Sequence, residues 1–241
     1  MRCFEGHPHR LTLVEMARCS NLNVSTTHRL LQTLCSTGVL RREADSDLYD
    51  LGPVLMSLSR TAYTSVGFTE ATDLMHRLVL RTGLSASYAI REDDHVVVVL
   101  TAGSLDPVPL TRRPGGRSPL HASAVGKALL AFAERPHEQL VEELGELPSL
   151  TPATITTRKR LVADLARTRK RGFAFSDEEQ IMGVRSIAAP VLDADGVAMG
   201  AVAVFGSVDQ LPDRSIDEVS AVVREVAADL AAIEFAALLT S

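Results

Sequence analysis

No stretch of this 241-residue chain approaches the roughly 18 consecutive apolar residues of a membrane-spanning helix. The opening MRCFEGHPHR has no apolar core like that of a secretory signal, so export is not expected. Cysteine is scarce. Cys3, Cys19 and Cys35 are odd in number and form no C-x-x-C pair. That argues against a disulfide framework and against a zinc site, and for a reducing cytoplasm. Cys35 fits a small buried helix residue better than a redox centre. An excess of positive charge is also missing: the formal net charge is −5, the wrong sign overall for gripping a polyanion. What remains is ordinary globular material, 46% hydrophobic and 23% charged, enough for two modest domains.

The acidity is unevenly spread. Residues 1–60 hold seven Lys and Arg against six Asp and Glu, whereas residues 61–241 hold eighteen against twenty-four. The first part is therefore nearly neutral, and only charges within about 8 Å of a contact matter much to it at physiological salt. In TLVEMARCS, Thr12 and Glu15 have the spacing of a capping box, with Leu13, Met16 and Ala17 as the apolar stripe of a two-turn helix. NLN at 21–23 supplies a turn and an Asn cap. In the next helix Thr27, Leu30, Leu31 and Leu34 repeat at i, i+3, i+4, i+7 and define a buried face, leaving Ser25, Thr26, His28, Arg29 and Gln32 elsewhere. Gly38 stops it. Two helices joined by a tight turn make a helix-turn-helix. VLRREADSDLYDLG then reads as two short strands around the turn 44–47, the wing of a winged motif, with Arg41 and Arg42 where a strand passes a phosphate backbone.

The run S-T-x-H-R-L-L-x-T-L from Ser25 to Leu34, G-x-L-x-R from Gly38 to Arg42, and Y-x-L-G-P-x-L from Tyr49 to Leu55 resemble the DNA-binding domain of the IclR family of bacterial transcriptional regulators. The resemblance implies that Ser25, Thr26, His28 and Arg29 face the major groove of double-stranded DNA. It also marks departures. Val24 stands where relatives often have Lys, Leu48 and Asp50 flank Tyr49 where they often have Arg, and the wing carries Asp45 and Asp47. Each lost cation removes a counterion-release contact, so weak non-specific binding and a shallow salt slope are expected. By the resemblance, relatives also carry about one further helix ahead of the first one here, so the expectation is either that the true start lies upstream or that this domain lacks part of its core.

Pro53 opens a helical stretch that Gly67 interrupts, and a second helix runs to Gly83, with Leu74, Leu78 and Arg81 giving it an amphipathic face suited to a connector. From Leu84 the period changes. SASYAIR and HVVVVLTAG flank Asp93-Asp94 as a hairpin, VPLTRR is another strand candidate, and GGRSP at 115–119 is a loop. Helices follow over 122–133, HEQLVEEL and TRKRLVADLARTRKRG. FAFS, SIAAPVLDADG and VAMGAVAVFG are strands, the last two joined by a turn at 193–196. A last helix from Asp213 to Leu238 carries Ile216, Val219, Val223, Val226 and Leu230 as its stripe. PLHASAVGKALLA, LTPATIT, RKRGFAFSDEE, GVRSIAAPVLDADG and AVAVFG resemble the GAF-like effector-binding domain of the same family. The expected fold is therefore α+β: a winged helix-turn-helix over 1–54, a helical linker over 55–68, and over 69–241 an effector-binding domain with an antiparallel sheet and flanking helices.

By resemblance, the effector pocket would be walled by Ala124, Val125 and Gly126, by Ser176, Asp177 and Glu178, by Ser186 where relatives often have Cys, and by Ala203 and Phe205 of the late strand. Strand alternation puts 203 and 205 on one face and 202 and 204 on the other. An apolar wall with a few polar anchors suits an aromatic or medium-sized carboxylic acid. No cofactor, no metal and no catalytic residue is expected. Asp177, Glu178 and Glu179 are adjacent and point different ways, so they are not a hydrolytic carboxylate pair. Ser123 and Lys127 are four apart on a helix, but Ser123 also suits an N-cap and nothing marks an oxyanion hole. Arg167, Arg169, Lys170 and Arg171 read as a solvated helix end. The reading is a cytoplasmic, ligand-responsive regulator, a homodimer or dimer of dimers on a palindromic operator, with no membrane partner and with repression the commoner habit of the family. The other reading is a small-molecule sensor or enzyme whose N-terminal region no longer binds DNA.

Overall fold

The computed structural model describes residues 2–4, 10–43, 46–65, 67–103 and 110–233. It divides into two compact units, 1–65 and 66–241.

In the first unit Thr12 caps helix α1 (Leu13–Ser20), and the box is closed: the Glu15 amide donates to the Thr12 hydroxyl at 3.3 Å and the Thr12 amide donates to the Glu15 carboxylate at 2.7 Å. Asn21 in the left-handed conformation ends α1, and Asn23 caps α2 (Val24–Ser36) by accepting from the Thr26 amide at 2.8 Å. Strand β1 (Leu11–Thr12) pairs with β3 (Leu48–Leu51), which pairs with β2 (Leu40–Arg42), giving a three-stranded antiparallel sheet ordered β1-β3-β2. Cys3, Leu11, Met16, Leu31, Leu40 and Tyr49 form its core. The expected buried face of α2 holds at Thr27 and Leu31, with Leu34 half-buried, but fails at Leu30, which is 49% exposed. Leu30 and Leu31 are 100° apart on a helix, and only one of them can meet the Met16–Leu40 core. Cys35, expected to be buried, is half-buried, and the buried cysteine is Cys3. The expected turn at 44–47 lies partly outside the described residues. The sheet and helix meet where Gly52 crosses Gly38: a Cβ on Gly52 would stand 2.0 Å from the Gly38 carbonyl oxygen. Helix α3 (Val54–Ser65) follows.

The second unit opens with α4 (Phe68–Thr82), bounded by Gly67 and Gly83, both left-handed. Its six-stranded antiparallel sheet is built from β4 (Ser85–Glu92), β5 (His95–Ala102), β6 (Arg117–Pro119), β7 (Ala174–Asp177), β8 (Val184–Leu192) and β9 (Ala198–Ser207). The order is β6-β5-β4-β9-β8-β7. Two expectations fail here. RSP, expected in a loop, is strand β6 paired with β5, and Leu110–Arg112, expected in a strand, is a single 3-10 turn; residues 108–109 of that candidate lie outside the described residues. The last helix, α8, is Ile216–Ala231 after a 3-10 turn at Asp213–Ser215, and 234–238 lie outside the described residues.

The sheet has a core on each face. Leu74, Met75 and Leu78 of α4 and Val223, Val226 and Leu230 of α8 pack against Ala86, Tyr88, Val202 and Val204. On the other face α5 (Ala124–Ala131), α6 (His137–Glu143) and α7 (Arg158–Arg171) cover Ala89, Ala188, Ala201 and Ala203. The second face is paved with small side chains, so α5 lies close and every one of its residues is buried. A bulge makes β5 serve both faces. Tyr88 pairs with Leu100 but Ala89 pairs with Val98, so Val99 is the extra residue. Val96 and Val98 therefore face α5, while Leu100 and Ala102 face α4 and α8.

Candidate functional sites

In the first unit α2 presents a polar edge. Its buried side is fixed by Thr27, whose hydroxyl donates to the Asn23 carbonyl at 2.9 Å, and by Leu31. That rotation leaves Ser25, Thr26 and Arg29 exposed and His28 half-buried. Among the described residues Arg29 is in no ion pair, so its cation is available to an outside partner. The wing is different. Arg41 faces Asp50 across the β2–β3 ladder and donates to it at 2.8 Å, and Arg42 donates to Asp47. Arg10 forks onto Glu43 at 3.0 and 3.2 Å. The hydrogen bond from Arg41 holds the Asp50 carboxyl below its usual range. The wing arginines stand exposed, each beside a carboxylate of the wing itself.

In the second unit a small cavity of about 20 Å³ lies between the sheet and the start of α5. Ser87 and Ala89 of β4, Val96 and Val98 of β5 and Ser186 of β8 form its floor, Ala124, Val125 and the N-cap Ser123 one side, and Thr111, Arg112, Ser118 and Gln180 the rest. Three of the expected residues, Ala124, Val125 and Ser186, are in this lining. The others are placed differently. Gly126 is turned to the chain itself: a Cβ there would stand 2.3 Å from the Leu120 carbonyl, so the missing side chain admits backbone. Ser176 is buried and donates to the Ala122 carbonyl at 3.1 Å. Asp177 is held by Arg185 at 2.7 Å. Glu178 has a left-handed backbone, φ 57°, and its carboxylate accepts from the Gly183 amide at 2.6 Å. Ala203 is core beneath α5. Phe205 reaches the cavity only through Arg112, whose guanidinium carbon sits 4.6 Å from the ring centre. The cavity keeps an apolar side in Ala89, Val96, Val98, Ala124 and Val125, and sets hydroxyls and one cation against it.

Arg112 is the residue that sequence reasoning missed. It is 7% exposed, and burial pulls it down from its ordinary value to about 10, so it stays cationic at neutral pH. In T-R-R-P-G-G nothing separates it from the exposed Arg113, because the turn that buries one and not the other depends on β6 pairing with β5.

Ser123 and Lys127 stand four apart at the start of α5. Each is engaged elsewhere. The Ser123 hydroxyl accepts from the Gly126 amide and donates to the Pro119 carbonyl, both at 3.0 Å. Lys127, with no exposed surface, donates to the Phe175 carbonyl at 2.6 Å and to Glu179 at 2.5 Å, and lies 3.0 Å from Asp164. Burial pushes Glu179 above its ordinary value despite Lys127. Burial pushes Asp164 the same way, but Lys127 and Arg167 overcome it and hold Asp164 below its ordinary value. Thr151 and Thr154 donate to the Glu179 carbonyl, at 3.3 and 2.6 Å, which gives the LTPATIT segment a structural task. Among the described residues no cluster of His, Cys, Asp and Glu could hold a metal ion, and no helix is long and apolar enough to cross a membrane.

Both units match known proteins. A model of the IclR helix-turn-helix domain matches residues 1–44, and one for the C-terminal domain of bacterial transcriptional regulators of the IclR type matches 65–232. The HTH-type transcriptional regulator BhcR of Paracoccus denitrificans is 35% identical over 223 residues, covering 91% of this chain and 79% of its own. The glycerol operon regulatory protein of Streptomyces griseus is 33% identical, covering 95% and 90%. An IclR-type regulator from Alicyclobacillus acidocaldarius shares the fold at a TM-score of 0.84 and 24% identity, covering 96% and 94%. A double mutant of the PobR inducer-binding domain from Acinetobacter, in complex with 3-hydroxybenzoic acid, superposes at a TM-score of 0.61 with 29% identity, covering 68% and 96%. The relatives are transcriptional regulators rather than enzymes, and the chain belongs to the IclR family of bacterial transcriptional regulators.

Proposed function

We propose that this chain is a ligand-responsive repressor of a catabolic operon, working in the cytoplasm as a homodimer or dimer of dimers on a palindromic operator. One observation carries the reading: burial of Thr27 and Leu31 turns Ser25, Thr26 and Arg29 outward together on a doubly capped helix. Small hydroxyls and one unpaired arginine at a helix N-terminus are what a major groove accepts, Arg toward guanine and Ser or Thr toward either edge. Arg41 and Arg42 then serve as phosphate contacts, exchanging their wing carboxylates for the backbone. A single reader buries too little to be selective, so two are needed, one per half-site. The effector is a small organic acid in the cavity beside α5, and it acts by binding one arrangement of the readers better than another. The 3-hydroxybenzoic acid complex of the double-mutant PobR domain supports an aromatic acid as one candidate.

A gel shift on the DNA upstream of the chain's own gene tests the reading. The wild-type chain gives a specific complex and Arg29→Ala loses it. A second reading, a sensor that has lost DNA binding, is favoured by the neutralised wing, Arg41 with Asp50 and Arg42 with Asp47. It predicts no specific shift from either protein.

A further inference from the structure

The cavity beside α5 holds a buried cation with no anion beside it among the described residues. Among the described residues no carboxylate pairs with Arg112, its Nε has no hydrogen-bond partner, and its only side-chain bond is a long one, 3.5 Å, to the Gln180 amide oxygen. The neighbouring Thr111 hydroxyl is also buried without a partner. Both belong to one 3-10 turn, and both line the cavity. A guanidinium removed from water is costly unless something pays back its hydration, and stacking on Phe205 is a partial return. A structural arginine would be expected to carry an acid partner, as Arg185 does with Asp177. Among the described residues no other lining residue is charged. Ser87, Ser118, Ser123 and Ser186 bring hydroxyls to the same space, and Gln180 is held there by donating to Ser118 at 2.7 Å.

We propose that Arg112, with Thr111, is the anion-binding subsite of this cavity and that it selects a monocarboxylate. This rests on the reading of the cavity as the effector site and says which group of the effector it recognises. One cation among the described lining residues matches a single carboxylate, which the planar guanidinium can take through two parallel hydrogen bonds. The hydroxyls then meet a polar substituent on the acid. As it stands the cavity of about 20 Å³ accommodates little more than a water, so the guanidinium must lift off Phe205 as the acid enters.

The test uses the full chain, with pyruvate, lactate, 4-hydroxybenzoate and succinate as probes in calorimetry and thermal melts. We expect at least one monocarboxylate to bind, tighter than succinate and tighter than its own primary amide. Arg112→Met should weaken it roughly a hundredfold, and Arg112→Lys should recover part of that. Without ligand, Arg112→Met should melt no lower than the wild type, because it removes an uncompensated charge. Pyruvate or lactate as the best probe marks a compact acid, and 4-hydroxybenzoate marks an aromatic one; either supports the subsite. Equal binding by Arg112→Met, equal binding of acid and amide, a lower melting point for ligand-free Arg112→Met, or no binding by any probe overturns it. A gel shift of the ligand-free Arg112→Met chain keeps the DNA-binding reading separate, since that activity does not depend on Arg112.

Discussion

Lys127 and Glu179 meet at 2.5 Å, fifty-two residues apart in sequence, with the lysine wholly buried on α5 and the glutamate beyond the end of β7. This contact, with Asp164 from α7, ties three elements around the helix that borders the cavity. Removing the cation would leave two buried carboxylates facing each other. Lys127→Met should therefore cost about 3–5 kcal/mol, the usual consequence of stripping one partner from a buried ion pair. Chemical denaturation of the single variant and of Lys127→Met with Glu179→Gln and Asp164→Asn checks it. The triple variant should recover much of the loss, and a single variant that unfolds like the wild type would remove the cluster's structural role.

The two acids of that cluster move oppositely with pH. Asp164 is held below its ordinary 3.8, so its contribution is present above that pH and is lost as pH falls through the lower folded value. Glu179 is raised above its ordinary 4.5, so its contribution is present below 4.5 and is lost as pH rises through the higher folded value. Glu179→Gln removes only the second effect. The melting-point difference, variant minus wild type, should become more positive between pH 4.5 and pH 7. A difference that stays constant or falls would mean that Lys127 holds Glu179 ionised.

Local signals were readable where neighbours in sequence decide the structure. The Thr12–Glu15 box, the Asn23 cap, Gly67 and Gly83 all sit where spacing puts them. So does the split of Ala203 from Val202 and Val204 across the sheet. What could not be read depends on distant pairing. The bulge at Val99 decides which valines of HVVVVL reach the cavity, and a run of identical residues cannot announce it. Strand β6 is three residues of Arg, Ser and Pro, with no β-branched side chain, and exists because β5 offers an edge. The burial of Arg112 follows from that pairing, and with it a cavity lining that includes Arg112 but not Asp177, Glu178, Ala203 or Phe205.

Gly52 tests the reader's packing. Its Cα faces the Gly38 carbonyl so closely that an added methyl would stand 2.0 Å from oxygen, and both partners are backbone. Gly52→Ala must push the wing strand from α2, at the upper end of about 1–3 kcal/mol for overpacking. The loss should appear as an earlier unfolding transition of the N-terminal unit, followed by hydrogen exchange at Leu31 and Leu40. Unchanged protection there would show that the crossing yields easily.

The wing offers a measurement on DNA itself. Asp50 occupies Arg41 and Asp47 occupies Arg42, so each arginine must give up an internal partner before it can neutralise a phosphate. Exposed pairs of this kind are held weakly and screened by salt, so the exchange is feasible but reduces the net gain. Replacing both acids, Asp47→Asn with Asp50→Asn, leaves the arginines in place and takes away their competitor. Non-specific affinity for duplex DNA should rise, and the plot of log affinity against log salt should steepen by about 0.9 for each arginine that then reaches the backbone. The α2 contacts are untouched and phosphate contacts carry no sequence information, so affinity for operator and random DNA should rise together and their ratio should hold. A salt slope identical to the wild type's would mean that neither Arg41 nor Arg42 approaches the duplex, leaving the reading of the DNA face to α2 alone.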